Sequence, residues 1–129
     1  MDNVEFVKQA YQDFTVGNVE AVVARFHPEI EWYECKGFPY AVGDGLSVGP
    51  NAVVRDVFAQ IPEHIEGFNV EIQELFGSGD KVVMVGYYKG VWKATGKAFK
   101  ANATHVWTVK EGKLTHFFQA VDTAEIINP

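Results

Sequence analysis

A carboxylate flanked by aromatic residues ends the segment Glu31-Trp32-Tyr33-Glu34. We expect Trp32, Tyr33 and Phe38 to shield Glu34 from water. Such shielding raises the pKa of a carboxyl group, because its charged form loses hydration. A carboxyl tuned in this way can shuttle a proton next to a substrate carbonyl. The alternative is an exposed carboxylate at the end of a strand.

A histidine stands in a later β-prone run of the sequence. Strand alternation places His105 on one face with four apolar residues, namely Ala101, Ala103, Trp107 and Val109. A lone histidine on such a face can polarise a substrate oxygen or hold a carboxylate. A core histidine bonded to a backbone carbonyl is the other interpretation.

Other reactive residues have a simpler explanation. His27, Glu29 and Glu31 alternate as metal ligands on a strand would, but Pro28 interrupts that geometry. Alternating surface charge explains them better, so no metal site is predicted. The sequence has no glycine-rich phosphate loop, nucleophile elbow or Cys-x-x-Cys motif, and no cofactor is expected. Cys35 lacks basic neighbours that would make it a thiolate, so we expect an inert thiol.

Three segments carry apolar residues at the i, i+3, i+4 and i+7 spacing of an amphipathic helix. The three sets are Val7, Ala10, Tyr11 and Phe14; Val19, Val22, Val23 and Phe26; and Val54, Val57, Phe58 and Ile61. Asp2 with Glu5 indicates a capping box for the first helix, and Asn18 is predicted to be the N-cap of the second. We predict that Pro28 ends the second helix and that the third runs from Pro50 to Pro62.

After Gly67 the apolar residues alternate, as they do in a half-buried strand. We predict four strands, over about 68–76, 81–92, 99–109 and 114–122, and a shorter one at 31–34. Residues 36–49 read as a long loop. Alternation turns either Tyr87 or Tyr88 inward, and we choose Tyr88. Asp122 is expected to cap the C-terminal segment.

These elements predict one α+β domain spanning residues 1–129. Strands joined by short turns run antiparallel, and three amphipathic helices from the same chain can cover the apolar face of the sheet. A strongly twisted sheet wrapped around helices tends to leave a cavity at its open end. We therefore predict a cone in which three N-terminal helices pack on a curved antiparallel sheet and enclose an apolar pocket.

The composition excludes several classes of partner. Aromatic residues make up 14% of the chain, which favours a pocket for a hydrophobic small molecule. The net charge is −6 and Lys and Arg do not cluster, so neither nucleic acid nor an anionic membrane surface is expected. The sequence shows no secretory signal and no membrane-spanning run. A single cysteine fits a cytoplasmic protein.

Two stretches resemble the nuclear-transport-factor-2-like (NTF2-like) superfamily, in its ketosteroid-isomerase and SnoaL-like branch. The first runs from Phe6 to Gly37 and includes the Val16–Glu20 helix junction and the acidic strand; the second runs from His105 to Leu114 and is followed by Asp122-Thr123. The resemblance implies the cone fold. It leaves open several functions, because the superfamily includes isomerases, cyclases, hydrolases and non-catalytic binding modules.

The resemblance also assigns positions within the site. Glu34 stands where ketosteroid isomerases have an aspartate base, and His105 matches the pocket histidine of SnoaL-like cyclases. The cyclase aspartate is replaced by Gln119, which cannot exchange protons at neutral pH. The two oxyanion positions of the isomerases fall on Ala10 and near Thr104. The chain is therefore not a ketosteroid isomerase of the known design.

We predict a cofactor-independent isomerase, cyclase or hydrolase acting by acid/base chemistry on a hydrophobic carbonyl-bearing or polycyclic metabolite. The alternative is a non-catalytic module that binds a hydrophobic molecule or a protein. Glu34 and His105 are the predicted catalytic residues. The predicted substrate-binding residues are Tyr11, Trp32, Phe58, Tyr88, Trp107 and Gln119. By analogy with relatives we expect a homodimer formed through the outer sheet face, with Phe118 and Ala120 in the contact.

Overall fold

The computed structural model describes residues 2–39, 41 and 43–129 of the 129-residue chain. Its helices are α1 (Asn3–Thr15), α2 (Val19–Val23), α3 (Pro50–Val53), α4 (Gln60–His64) and α5 (Thr123–Ile127), with a π-helical segment at Val54–Phe58 between α3 and α4. Its strands are β1 (Phe26–Tyr33), β2 (Leu46–Val48), β3 (Ile65–Ser78), β4 (Lys81–Trp92), β5 (Ala98–Lys110) and β6 (Lys113–Val121). The predicted α+β class is confirmed.

The six strands form one sheet in the order β2-β1-β6-β5-β4-β3. The pairs β3–β4, β4–β5 and β5–β6 are antiparallel, as predicted for strands joined by short turns. The pair β1–β2, which was not predicted, is also antiparallel. β1 and β6 are parallel. The predicted antiparallel sheet is therefore confirmed for the meander, and this one parallel pair joins the N-terminal part of the chain to the end of the meander.

The prediction that Pro28 ends the second helix is wrong. α2 stops at Val23, and β1 already begins at Phe26. Pro28 is tolerated in β1 because the ladder to β6 is irregular between Phe26 and Glu31, so no partner strand needs a backbone N–H from residue 28. Phe26 keeps the helical spacing but points into the core from a strand.

The third predicted helix is present but irregular. It starts at Pro50 as predicted, widens into the π-helical segment and continues past Pro62 to His64. π-helical turns of this kind occur often beside functional sites. The predicted loop at 36–49 contains β2, which pairs with the end of β1. Two residues of that loop, Tyr40 and Val42, lie outside the described residues.

Capping follows the sequence signals closely. The Asp2 side chain accepts a hydrogen bond from the backbone N–H of Glu5, and the Asn18 side chain accepts one from Ala21. Asp122 caps α5 as expected, by accepting from the N–H of Glu125. Over residues 2–39, 41 and 43–129, no helix has the length and apolar content needed to cross a membrane.

The outer face of the sheet carries one apolar side chain from every strand at the same level. The strand register places these six residues side by side, in the order Leu46, Tyr33, Phe118, Val106, Val83 and Phe76. We call this set the outer apolar row. Leu46, Phe118 and Phe76 are each about half exposed, so the row faces solvent in the single chain.

Candidate active site

A cavity of about 60 Å³ lies between the inner face of the sheet and the helices. All eight predicted site residues line it: Tyr11, Trp32, Glu34, Phe58, Tyr88, His105, Trp107 and Gln119. The predicted inward orientation of Tyr88 is confirmed, since its side chain is buried in the wall while Tyr87 is half-buried. The roles assigned to these residues remain predictions.

Several wall residues are absent from the predicted site. They are Ala10, Phe14, Val22, Phe38, Val57, Ile61, Phe68, Val70 and Phe117. The alternation signal is sufficient to find Phe117, which shares the strand face of Gln119. Phe68 and Val70 likewise alternate on β3. Phe14 is recognisable from sequence only as helix core, because periodicity does not distinguish a core contact from a cavity wall.

Glu34 is held by its backbone on both sides. It follows β1 directly, where its N–H donates to the carbonyl of Gly45 over 2.7 Å. Its own carbonyl accepts a hydrogen bond from the side-chain amide of Gln119 over 2.6 Å. Cys35 then takes a left-handed conformation, with φ of 68°, and turns the chain away from the sheet. The backbone that carries the Glu34 carboxyl is therefore held in place beside the cavity.

The carboxyl of Glu34 is buried, with 4% of the residue exposed. Loss of hydration raises its pKa to about 7, although the indole N–H of Trp32, which donates to Oε1 over 2.8 Å, opposes that rise. Among the described residues, Oε2 has no hydrogen-bond partner and no Lys or Arg pairs with the group. Near neutral pH the group is therefore poised to gain or lose a proton.

One expected neighbour of Glu34 lies elsewhere. The prediction that Tyr33 shields the carboxyl together with Trp32 and Phe38 is wrong. Its ring stacks on Phe118 at the outer face, with ring centroids 5.3 Å apart. Alternation explains the difference, because Trp32 and Glu34 share the inner face of β1 and Tyr33 points the opposite way.

His105 has both ring nitrogens occupied. Nδ1 lies 2.6 Å from the hydroxyl of Tyr11, and Nε2 lies 2.5 Å from the hydroxyl of Tyr88. Burial lowers the pKa of His105 to about 3, since the charged imidazolium would lose its hydration. The imidazole is therefore neutral at physiological pH. Its partners are two tyrosines, neither a backbone carbonyl nor a carboxylate.

Tyr11 enters the cavity from α1 although it lies one place after the position that matches the isomerase tyrosine. Its hydroxyl accepts a hydrogen bond from the indole N–H of Trp107 over 2.8 Å. Burial raises the pKa of Tyr11 and of Tyr88 above the usual value for a phenol. Both hydroxyls consequently stay protonated, and they act as neutral hydrogen-bonding groups.

The side-chain amide of Gln119 links Tyr88 to the backbone of Glu34. Its Oε1 accepts from the Tyr88 hydroxyl over 2.5 Å, while its Nε2 donates to the Glu34 carbonyl. Burial raises the pKa of the Cys35 thiol, so Cys35 stays protonated.

The cavity is small for a binding pocket. Pockets that enclose drug-sized ligands measure roughly 300–1,000 Å³, whereas this one measures about 60 Å³. Half-buried aromatic side chains from three elements narrow it: Phe14 lies against Phe58 and Phe68, with ring centroids 5.8 Å and 6.1 Å apart. In this closed form the space suits a compact molecule better than a polycyclic one.

A model of the SnoaL-like domain matches residues 7–117, which include both Glu34 and His105. The chain belongs to the SnoaL-like family. The match runs from within α1 to within β6 and covers every residue of the cavity wall except Gln119. The predicted membership of the NTF2-like superfamily, in its SnoaL-like branch, is thereby confirmed.

Solved structures share the fold of this SnoaL-like domain over nearly its whole length. An NTF2-like protein from Burkholderia thailandensis is 34% identical, with 96% of this chain and 93% of that chain covered and a TM-score of 0.90. An NTF2-like protein of unknown function from Burkholderia pseudomallei is 27% identical, with 98% and 96% covered and a TM-score of 0.88. TerC, co-crystallised with polyporic acid, is 24% identical, with 97% and 95% covered and a TM-score of 0.84. No curated protein matches the chain.

Proposed function

We propose that this SnoaL-like domain catalyses a cofactor-independent proton transfer on a compact, apolar, carbonyl-bearing molecule, with Glu34 as the proton carrier. The observation that carries the proposal is the carboxyl of Glu34. It is buried among aromatic rings, its pKa is raised to about 7, and Oε2 has no partner among the described residues. A base or acid works best when its pKa lies near the working pH.

In this reaction the ionised Glu34 carboxylate takes a proton from the carbon next to the substrate carbonyl. The C–H bond breaks, an O–H bond forms on the carboxyl, and the electron pair moves toward the carbonyl oxygen. The carboxyl then returns the proton, to the same carbon or to another. The aromatic wall supports the proposal, because it excludes water and holds an apolar substrate by contact.

The size of the cavity narrows the proposed substrate. A space of about 60 Å³ favours a molecule of a few heavy atoms over a polycyclic one. A larger substrate requires Phe14, Phe58 or Phe68 to move aside.

Hydrogen–deuterium exchange tests the proposal with simple ketones in place of the natural substrate. Acetone and cyclopentanone are incubated with the protein in deuterated water, and loss of the α-proton signals is followed by NMR. We expect wild-type protein to accelerate the exchange and Glu34→Gln to reduce the acceleration by about 10²–10⁴-fold. Glu29→Gln, which changes an exposed carboxylate on the same strand, is the matched control. Equal exchange by wild type and Glu34→Gln contradicts the proposal.

A second candidate function is a binding module without chemistry, and one observation favours it. The polar donors in the cavity wall already donate within the protein: Trp107 to Tyr11, Tyr88 to Gln119, and Trp32 to Glu34. A substrate oxygen that becomes negative therefore finds none of these three donors free in this state. Native mass spectrometry that detects a tightly held apolar molecule, together with no acceleration of exchange, would favour this function.

We also propose that the chain forms a homodimer through the outer apolar row. The row offers exposed apolar area on Leu46, Phe118 and Phe76, and Ala120 is exposed beside it on β6. Burial of such a patch against a second copy removes apolar surface from water, which stabilises a pair.

A further inference from the structure

The polar groups of the cavity wall form one continuous chain of hydrogen bonds. It runs through Trp107, Tyr11, His105, Tyr88 and Gln119 to the backbone carbonyl of Glu34, with separations of 2.8, 2.6, 2.5, 2.5 and 2.6 Å. The members come from α1, β4, β5, β6 and the end of β1. The chain begins at an indole, which can only donate, and ends at a carbonyl, which can only accept.

The carbonyl end fixes the orientation of the neighbouring groups. Because the Glu34 carbonyl cannot donate, the atom of Gln119 that faces it must be the amide nitrogen. The amide oxygen of Gln119 then faces Tyr88 and must accept a proton from its hydroxyl. Tyr88 has a single proton and gives it to Gln119, so its oxygen can only accept from His105.

The direction of these bonds determines where the proton on His105 lies. Nε2 must carry hydrogen, since it faces an oxygen that has already given its proton away. A neutral imidazole has one N–H, so Nδ1 carries the lone pair and accepts from the Tyr11 hydroxyl. Tyr11 can do this because Trp107 donates to its oxygen. The opposite tautomer would set the oxygens of Tyr88 and Gln119 against each other without a proton between them.

We infer that His105 is a positioning residue, held as the neutral Nε2–H tautomer. Gln119 selects this tautomer, because it takes the Tyr88 proton and leaves the Tyr88 oxygen as an acceptor for Nε2–H. His105 gives and takes no proton during the reaction. Instead, His105 fixes the positions of the two tyrosines and of Gln119, which holds the Glu34 backbone. This role in the reaction rests on the proposed function of Glu34. Gln119 suits this task because it both accepts and donates. An ionised aspartate or glutamate could accept from Tyr88 but could not donate to the Glu34 carbonyl.

The tautomer can be read directly by NMR of protein labelled with ¹⁵N-histidine. Long-range ¹H–¹⁵N correlations distinguish the Nε2–H tautomer, the Nδ1–H tautomer and the imidazolium. We expect His105 to show only the Nε2–H pattern, unchanged between about pH 5 and pH 8. The exposed His64 and His116 serve as internal references. An Nδ1–H pattern, a mixture of tautomers, or titration of His105 within this range overturns the inference.

Two substitutions of similar size test the part played by Gln119. Gln119→Glu keeps an oxygen that accepts from Tyr88, so we expect the Nε2–H tautomer to persist. Gln119→Met removes the acceptor, and Tyr88 is then free to donate to Nε2, so we expect a mixture of the two tautomers. If Gln119→Met retains the pure Nε2–H form, Gln119 does not select the tautomer of His105. The wild-type measurement decides the tautomer even if a variant does not fold.

This experiment is independent of the test of the proposed function. The ¹⁵N spectrum reports protons on His105 without any substrate, whereas exchange of ketone protons reports on Glu34. Loss of the Nε2–H assignment with Glu34-dependent exchange intact would refute only the role of His105. A confirmed tautomer without accelerated exchange would refute only the proposed reaction.

Discussion

The indole N–H of Trp32 donates to Oε1 of Glu34, two residues further along the chain, over 2.8 Å. The two side chains share the inner face at the end of β1. Burial raises the pKa of the carboxyl, and this hydrogen bond partly offsets the effect by stabilising the ionised form. The value of about 7 is therefore a balance between lost hydration and one donated hydrogen bond.

Replacement of Trp32 by Phe should raise the pKa of Glu34 above its wild-type value of about 7. The change removes the donor while keeping an aromatic ring, and we expect a shift of about one unit. Carboxyl ¹³C NMR measures it. Trp107→Phe is the matched control, since its indole N–H serves Tyr11. Equal shifts in the two variants would show that ring packing, and not the hydrogen bond, sets the pKa.

Replacement of Glu34 by Gln should stabilise the protein at high pH relative to wild type. The folded carboxyl has a pKa of about 7 against the usual value of 4.5, so the native state holds a proton that the unfolded state releases. The contribution of the Glu34 carboxyl to the unfolding free energy of wild type is therefore most favourable below about pH 4.5, and it is lost as the pH rises through 7. The full difference corresponds to about 3 kcal/mol.

Urea denaturation at a series of pH values measures this effect as the difference in unfolding free energy between Glu34→Gln and wild type. The difference should grow between about pH 4.5 and pH 7 and then level off. His105 contributes the opposite slope: its folded pKa of about 3 lies below the usual value of 6.5, so its stability is lost as the pH falls. That slope cancels from the difference, because both proteins contain His105. A difference independent of pH would mean that Glu34 ionises normally.

Replacement of Phe58 by Ala should enlarge the cavity enough to admit a ring. Phe58 contacts Phe14, Phe26 and Trp32, with ring centroids between 5.5 and 6.2 Å away. Removal of the ring joins its volume to the existing space, and cavities of about 150 Å³ bind benzene. NMR titration should show benzene binding by the variant and none by wild type. The expected loss of stability is about 3 kcal/mol, the low end for replacement of Phe by Ala, because Phe58 is half-buried.

Phe76→Ala is the control for this prediction, because it removes an aromatic ring from the exposed outer face. It should not confer benzene binding. If wild-type protein binds benzene as tightly as Phe58→Ala, the cavity opens readily in solution and the restriction to compact substrates is wrong.

Replacement of Phe118 by Asp should dissociate the proposed homodimer. The side chain lies at the centre of the outer apolar row and stacks on Tyr33, so a carboxylate there would be desolvated on pairing. Analytical ultracentrifugation at micromolar concentration should show wild type as a dimer and the variant as a monomer. Val16→Asp, which changes an apolar residue that is 77% exposed after α1, should remain dimeric. A monomeric wild type would refute the proposal.

Local chemistry makes much of the fold predictable. The bounds of β4 match the predicted 81–92, because a β-prone run is bracketed by turn residues on both sides. Asp2, Asn18 and Asp122 cap helices as their side-chain oxygens suggest. Alternation places His105 and Trp107 on one buried face. Each of these features depends on neighbours within a few residues.

Features that depend on residues distant in sequence cannot be predicted from local sequence patterns. β2 is three residues long and exists because it pairs with β1, which no local pattern of residues 46–48 indicates. Phe26 has helical spacing after Val19, but contacts with the sheet override that preference. Tyr33 is a different case, because local alternation along β1 is enough to place it on the face opposite Glu34, and the prediction that it shields the carboxyl overlooked this.

The sequence by itself determined which side chains share a strand face, as Trp32 does with Glu34 and His105 with Trp107, because alternation follows from backbone geometry alone. Only the tertiary structure decided that these faces turn inward and that Glu34 and His105 are buried in one aromatic interior. The tertiary structure alone decided the protonation chemistry. Tyr11, His105, Tyr88, Gln119 and Glu34 come from separate elements, and their hydrogen bonds exist only once those elements pack. A pKa depends on lost hydration and on partners distant in sequence, and therefore on packing.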